Sequence, residues 1–176
     1  MKKYELTQNS IKFNNRTLYQ IVAVKDFTAE FGAFGEIDTK QIKAGDLGGY
    51  IEKESNLSQD GNCWVYVDGK VYDDAKVFDN AVVGGDVEIF GNAKVYGNAK
   101  IYGSISACGD SARVYGNAEI YGNALVYACA RVYGKARVYD NATICGDSRV
   151  YGKAIICGNA RFYGKSIICG TEIKTN

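Results

Sequence analysis

Six cysteines, twenty carboxylates and no histidine set the limits on what this chain's side chains can do. Without histidine there is no imidazole to serve as a general base near neutral pH, to complete a serine or cysteine triad, or to ligate a metal. The cysteines do not replace it, because no Cys-x-x-Cys pair occurs to suggest a zinc or dithiol motif. Cys108, Cys145, Cys157 and Cys169 take the position that tyrosine holds in most of the repeats described below, and Cys129 sits at a turn. In that repeat, outward cysteines on one face lie two coils or more apart, roughly 10 Å and beyond disulfide reach. They read as small exposed ladder residues with reduced thiols. Asp73, Asp74, Asp79, Asp110 and Asp147 fall at turn positions, where Asp takes the place of Asn. These residues predict no catalytic residue, no metal and no cofactor.

What remains for chemistry is a set of cations and aromatics, and a repeat positions them. Branched apolar residues recur every six positions from Val65, and the unit is typified by Val95-Tyr96-Gly97-Asn98-Ala99-Lys100. The frame runs through Ala107, takes one extra residue near Ala112-Arg113, and resumes at Val114 to end with Ile168. The branched residue suits a buried strand site. The alanine or serine four positions on suits a tight inner corner. Gly-Asn or Gly-Lys tolerates left-handed backbone. Strand alternation turns the tyrosine outward. The period of six and the dense β-branching exclude a helical reading.

Three hexads make an 18-residue triangular coil, so the eighteen hexads predict an all-β, left-handed parallel β-helix of about six coils, roughly 29 Å long. The first 60 residues lack the repeat. Ser10 to Phe13 and Thr17 to Val24, around Asn14-Asn15, predict a β-hairpin. Phe27 to Ile37 reads as a loop and Ala44 to Ile51 as a turn into the first coil. The expected organisation is an N-terminal β cap over 1–60, the β-helix over 61–172 and a tail over 173–176. The cap would cover the open edges of the first coil.

Sorted by face in that register, one side of the rod collects Lys76/Phe78, Lys94/Tyr96, Arg113/Tyr115, Arg131/Tyr133 and Arg149/Tyr151, one pair per coil. This basic and aromatic stripe predicts an anionic partner, with cations on phosphates or carboxylates and tyrosines stacking on bases or packing on a protein. Near the C-terminus, Ile155, Cys157, Ile167 and Cys169 replace charges and tyrosines on the outside. They predict a homo-oligomer interface.

The segments Gly45-Asp46-Leu47-Gly48-Gly49-Tyr50-Ile51-Glu52-Lys53, Asn56-Leu57-Ser58 and Gly61-Asn62-Cys63-Trp64-Val65-Tyr66, followed by Val-Tyr-Gly-Asn-Ala repeats, resemble a family of bacteriophage and prophage hexapeptide-repeat proteins. Thr17-Leu18-Tyr19 and Val24-Lys25-Asp26-Phe27 fit the same pattern. Members are labelled transferases or polymer-forming proteins by analogy of fold. The resemblance implies a phage context and hence a bacterial cytoplasm as the place of action. The net charge of +1, the lack of an apolar segment long enough to span a membrane and the lack of a secretory leader agree with a cytoplasmic chain without membrane partners.

The functional expectation is a non-enzymatic binding protein that engages or inhibits a bacterial host protein or protein–nucleic-acid complex, such as a nucleic-acid-handling defence enzyme. Two other readings stand beside it: an acyltransferase-like enzyme working at a subunit groove, and a sponge for nucleotides or nucleic acid.

Overall fold

A branched residue every six positions, followed by a corner that favours glycine or a short polar residue, dictates the architecture. The structure is a computed structural model that describes residues 2–31, 38–103, 111–170 and 172–175. It is a parallel β-solenoid of about seven turns, one more than the hexads predict. Its three sheets are stacked columns of the branched positions. The first face centres on Ile51, Val71, Ile89, Val114, Val132, Val150 and Ile168. The second runs from Val77 through Val95, Ile120, Val138 and Ile156 to Ile173. The third runs from Val65 through Val83, Ile101, Val126 and Ile144 to Phe162.

Most of these side chains are buried, and full burial of each valine or isoleucine contributes about 1.5–3 kcal/mol. The small corner residues, such as Ala99, Ala118, Ala136 and Ala154, are sealed completely. Glycines at the corners adopt left-handed backbone: Gly97, Gly116, Gly134 and Gly158 have φ of 67°, 71°, 74° and 69°. Asp73, Asp79 and Asp140 do the same at φ 58°. These three therefore stand where glycine stands, not where asparagine does, and the carboxylates are used. Each accepts the backbone N–H of the residue one turn above, Gly91, Gly97 and Gly158 respectively, at 3.0–3.1 Å. Asparagines at the next position form an amide ladder from Asn80 through Asn98, Asn123 and Asn141 to Asn159, with links of 3.1–3.2 Å.

The N-terminal hairpin forms as expected, from β1 (Tyr4–Phe13) and β2 (Arg16–Ala23), with Asn14 and Asn15 both at positive φ in the turn. It continues the first face, because β2 pairs antiparallel with a strand at Leu47–Ile51, which pairs in parallel with Lys70–Val71. The coil therefore starts at Leu47 rather than near residue 61. The stretch expected as a loop, Phe27 to Ile37, begins with a strand, Phe27–Phe31, which forms a second hairpin with a strand just after the stretch, Asp38–Ile42. Ala29 and Ile42, with Phe27 packed beside them, give the second hairpin an inner side. It lies against the third face: Phe27 meets Trp64 edge-on, Glu30 pairs with Lys100 at 2.7 Å, and Lys40 sits over the Tyr66 ring. At the other end, Glu172–Thr175 forms a strand on Ile155–Gly158, so the chain's last residues extend the second face.

The seam at the single-residue insertion differs from expectation. Partners across it, Ile89 with Val114 and Ile101 with Val126, are 25 residues apart, whereas Val114 with Val132 are 18 apart. Seven residues rather than one are extra in that turn. Of the hexad assigned to Ala107, the first four residues, with Cys108 and Asp110, lie outside the described residues.

Candidate anion-facing surface

The seven-residue excess redistributes the predicted stripe. Every residue after it moves one face round the triangle relative to the hexad count. Lys76/Phe78 and Lys94/Tyr96 lie on the second face. Arg113/Tyr115, Arg131/Tyr133 and Arg149/Tyr151 lie on the first. The ten residues are thus two groups on two faces, and the single stripe is not formed.

The aromatic rows also behave differently from a stacking platform. On the first face Tyr72, Phe90, Tyr115, Tyr133 and Tyr151 stack ring on ring, with centroids 4.8–5.1 Å apart and planes within 5° of parallel. On the second, Phe78, Tyr96, Tyr121 and Tyr139 stack at 4.8–4.9 Å with planes within 9° of parallel. The ring faces are consumed by their neighbours, so a base cannot insert between them. The rows present edges and hydroxyls to a partner. Burial, opposed by the nearby arginines, pushes the Tyr115 hydroxyl above its ordinary pKa and keeps it a donor.

What the fold does assemble is a cationic ridge. Arg113, Arg131 and Arg149 are in register on the first face. One corner away, Lys135 and Lys153 occupy stacked turn positions, with Lys135 N–H donating to Gly152 O at 2.7 Å. Arg137 opens the adjoining strand of the second face. Lys135, Arg137, Arg149 and Lys153 are exposed and form no ion pair among the described residues. Face-sorting missed Lys135, Arg137 and Lys153, although the linear sequence carries their signal. Through Asn92 the chain has ten Lys and Arg against fifteen Asp and Glu, a balance of −5; after Asn92 it has eleven against five, a balance of +6. The near-zero total conceals an acidic N-terminal half and a basic C-terminal half.

The boundary between them lies in a hollow of about 680 Å³ between the tip of the first hairpin and the first face. Its charges neutralise one another. Arg16 bridges Glu52 and Asp73. Glu88, almost fully buried, accepts the Tyr72 hydroxyl at 2.9 Å and pairs with Arg113 Nε at 3.2 Å. Both oxygens of this carboxylate are engaged, which makes it a poor general base. Burial, then Glu88, pushes the Tyr72 hydroxyl well above its ordinary range.

The cysteines are not the uniform row of exposed thiols that their positions suggest. Cys145 and Cys157 are buried, Cys169 is exposed, and Cys129 is disulfide-bonded, so the thiols are not all free. The expected oligomer residues divide as well. Ile155 is half-buried and Cys157 is covered beside the Glu172–Thr175 strand, on the second face; Ile167, 68% exposed, and Cys169 lie on the first. No cluster of metal-ligating side chains occurs among the described residues, and no helix there is long and apolar enough to cross a membrane.

The three stacked sheets and the glycine corners define a parallel β-solenoid. Comparison with known sequences agrees. Residues 130–146 and 136–152 match the YdcK Beta solenoid repeat. Over 74 residues the chain is 34% identical to the "Uncharacterized acetyltransferase YdcK" of Escherichia coli (strain K12). That match covers 38% of this chain and 19% of the relative, so the chain spans about a fifth of the curated protein it resembles.

Proposed function

We propose that this chain is an interaction protein that engages an anionic partner through the ridge formed by Arg113, Arg131, Arg149, Lys135, Lys153 and Arg137. The partner class is a bacterial host protein or protein–nucleic-acid complex, as the phage resemblance implies. The observation that carries the reading is the concentration of six cations in three consecutive turns of a protein whose other half is acidic. Such a field draws an anion to one end of the rod and repels it from the other, which fixes orientation before contact. Guanidinium rows beside a line of phenol hydroxyls provide donors for carboxylates or phosphates.

The test uses two defined polyanions, a 20-base-pair DNA duplex and poly-glutamate, titrated against the full chain at several salt concentrations. Saturable binding that weakens steeply with salt, and is abolished in Arg131/Lys135/Arg149/Lys153→Glu but retained in Asp73/Asp74→Lys, supports the reading. Equal binding by wild type and the four-site variant overturns it.

A second reading draws on the printed name of the Escherichia coli relative, an acetyltransferase. The hollow beside Arg16, Tyr72 and Glu88 is where a small acyl donor would meet this chain. Saturable thermal stabilisation by coenzyme A or acetyl-coenzyme A supports it, and no shift at millimolar ligand removes it.

A further inference from the structure

The most unusual buried group in the molecule is Lys3. It is fully buried where the first hairpin meets the first turn. Its Nζ donates to the carbonyl oxygens of Asp60, Gly61 and Cys63 at 3.3, 3.2 and 2.9 Å, and stands 3.2 Å from Cys63 Sγ. No carboxylate oxygen is among its hydrogen-bond partners. Cys63 is also fully buried, a free thiol whose other contacts are the Ser58 and Asp60 carbonyl oxygens at 3.5 and 3.7 Å. An amine and a thiol are therefore caged together, 60 residues apart in sequence, across the joint between cap and solenoid.

From this geometry we propose that Lys3 and Cys63 form a covalent, peroxide-driven nitrogen–oxygen–sulfur crosslink that staples the N-terminal hairpin to the solenoid. Burial favours the free amine that the second step needs, and the charge of Lys3 favours the thiolate that peroxide attacks. Burial pushes the Lys3 ammonium below its ordinary pKa, and it pushes the Cys63 thiol up, against the opposing pull of Lys3.

The chemistry balances with peroxide as the oxidant. One peroxide oxidises the thiol to a sulfenic acid and leaves as water. A second takes up one hydrogen from the amine and one from the sulfenic acid, with their electrons, and is reduced to two waters as the N–O bond forms. The sum is Lys–NH2 + Cys–SH + 2 H2O2 → Lys–NH–O–S–Cys + 3 H2O. At 3.2 Å the gap between Nζ and Sγ accepts one bridging oxygen with the amine still in its carbonyl cage. A direct S–N bond would have to pull the amine out of that cage.

The test is mass spectrometry of the full-length wild-type protein, kept folded during peroxide treatment, then denatured without reductant and digested. The expected product is one crosslinked species joining the Lys3 and Cys63 peptides, heavier than their sum by one oxygen and lighter by two hydrogens. Trypsin no longer cleaves after Lys3 in it, and dithiothreitol resolves it into the two peptides. Lys3→Arg and Cys63→Ser do not form it, and a rise in the wild-type melting temperature accompanies its formation. Three results overturn the proposal: Cys63 recovered as an unchanged thiol, Cys63 recovered as sulfinic or sulfonic acid with Lys3 unmodified, or a crosslink that has lost two hydrogens without gaining oxygen. The wild-type measurement decides the matter even if a variant fails to fold, and it is independent of the anion-binding ridge.

Discussion

Replacing Tyr133 by alanine removes the fourth ring of a five-ring stack. Its centroid lies 4.8 Å from Tyr115 on one side and 5.0 Å from Tyr151 on the other. Two stacked contacts are lost, at about 0.5–1.5 kcal/mol each. Loss of the apolar area of a half-buried ring adds about 1 kcal/mol. The expected cost is therefore about 2–4 kcal/mol. Tyr163 is the control: it is 52% exposed and has no ring contact among the described residues, so Tyr163→Ala costs under about 1 kcal/mol. Tyr133→Phe keeps both stacked faces and stays within about 0.5 kcal/mol of wild type. Urea denaturation followed by circular dichroism, with the slope checked for constancy, measures all three. If Tyr133→Ala is no more damaging than Tyr163→Ala, the rings do not stack as described. The ring faces would then be open to bases.

Other expectations follow from the same geometry. A Cβ at Gly158 would collide with Thr175 O, with φ at +69°, whereas at Gly164 the space is open at the same φ. Gly158→Ala therefore destabilises markedly more than Gly164→Ala in thermal melts; equal losses would place the terminal strand elsewhere. Deleting residues 104–110 restores the 18-residue spacing between partners on all three faces, so the shortened chain keeps its β spectrum and a cooperative transition; an unfolded product would contradict the register. Burial alone would raise the pKa of Asp86, but hydrogen bonds from Ser111 and Lys70, with the charges of Lys70 and Arg113, outweigh it and hold the pKa below its ordinary value. Its stabilising contribution is thus complete above the unfolded carboxylate pKa and disappears as pH falls through the lower folded value. Asp86→Asn should flatten that part of the acid limb, and an unchanged limb would refute the assignment.

The repeat was legible because each hexad position has its own steric demand, and so was the first hairpin, whose Asn14-Asn15 turn needs two residues that tolerate positive φ. The surface was legible only in part. Ala107-Cys108-Gly109-Asp110-Ser111-Ala112 mimics a hexad in composition, so spacing alone could not separate one inserted residue from seven. Only the pairing of Ile89 with Val114 does so, and an error of one hexad rotates every later side chain to the next face. The second hairpin was hidden by Gly32-Ala33-Phe34-Gly35 between its strands, a composition that resembles a loop. The axial segregation of charge needed no structure; sorting by face obscured it. Lys3 as a buried pin was invisible, because a lysine next to an N-terminus ordinarily reads as solvated.

Capture from bacterial lysate decides whether the cationic ridge binds a partner, with wild type and Arg131/Lys135/Arg149/Lys153→Glu run side by side, each with and without nuclease and read by mass spectrometry. A partner retained by wild type and lost from the variant at equal folded concentration is the predicted result, and nuclease sensitivity assigns it to nucleic acid or to protein. The same partners recovered equally by both forms would contradict an interaction surface on the cationic ridge.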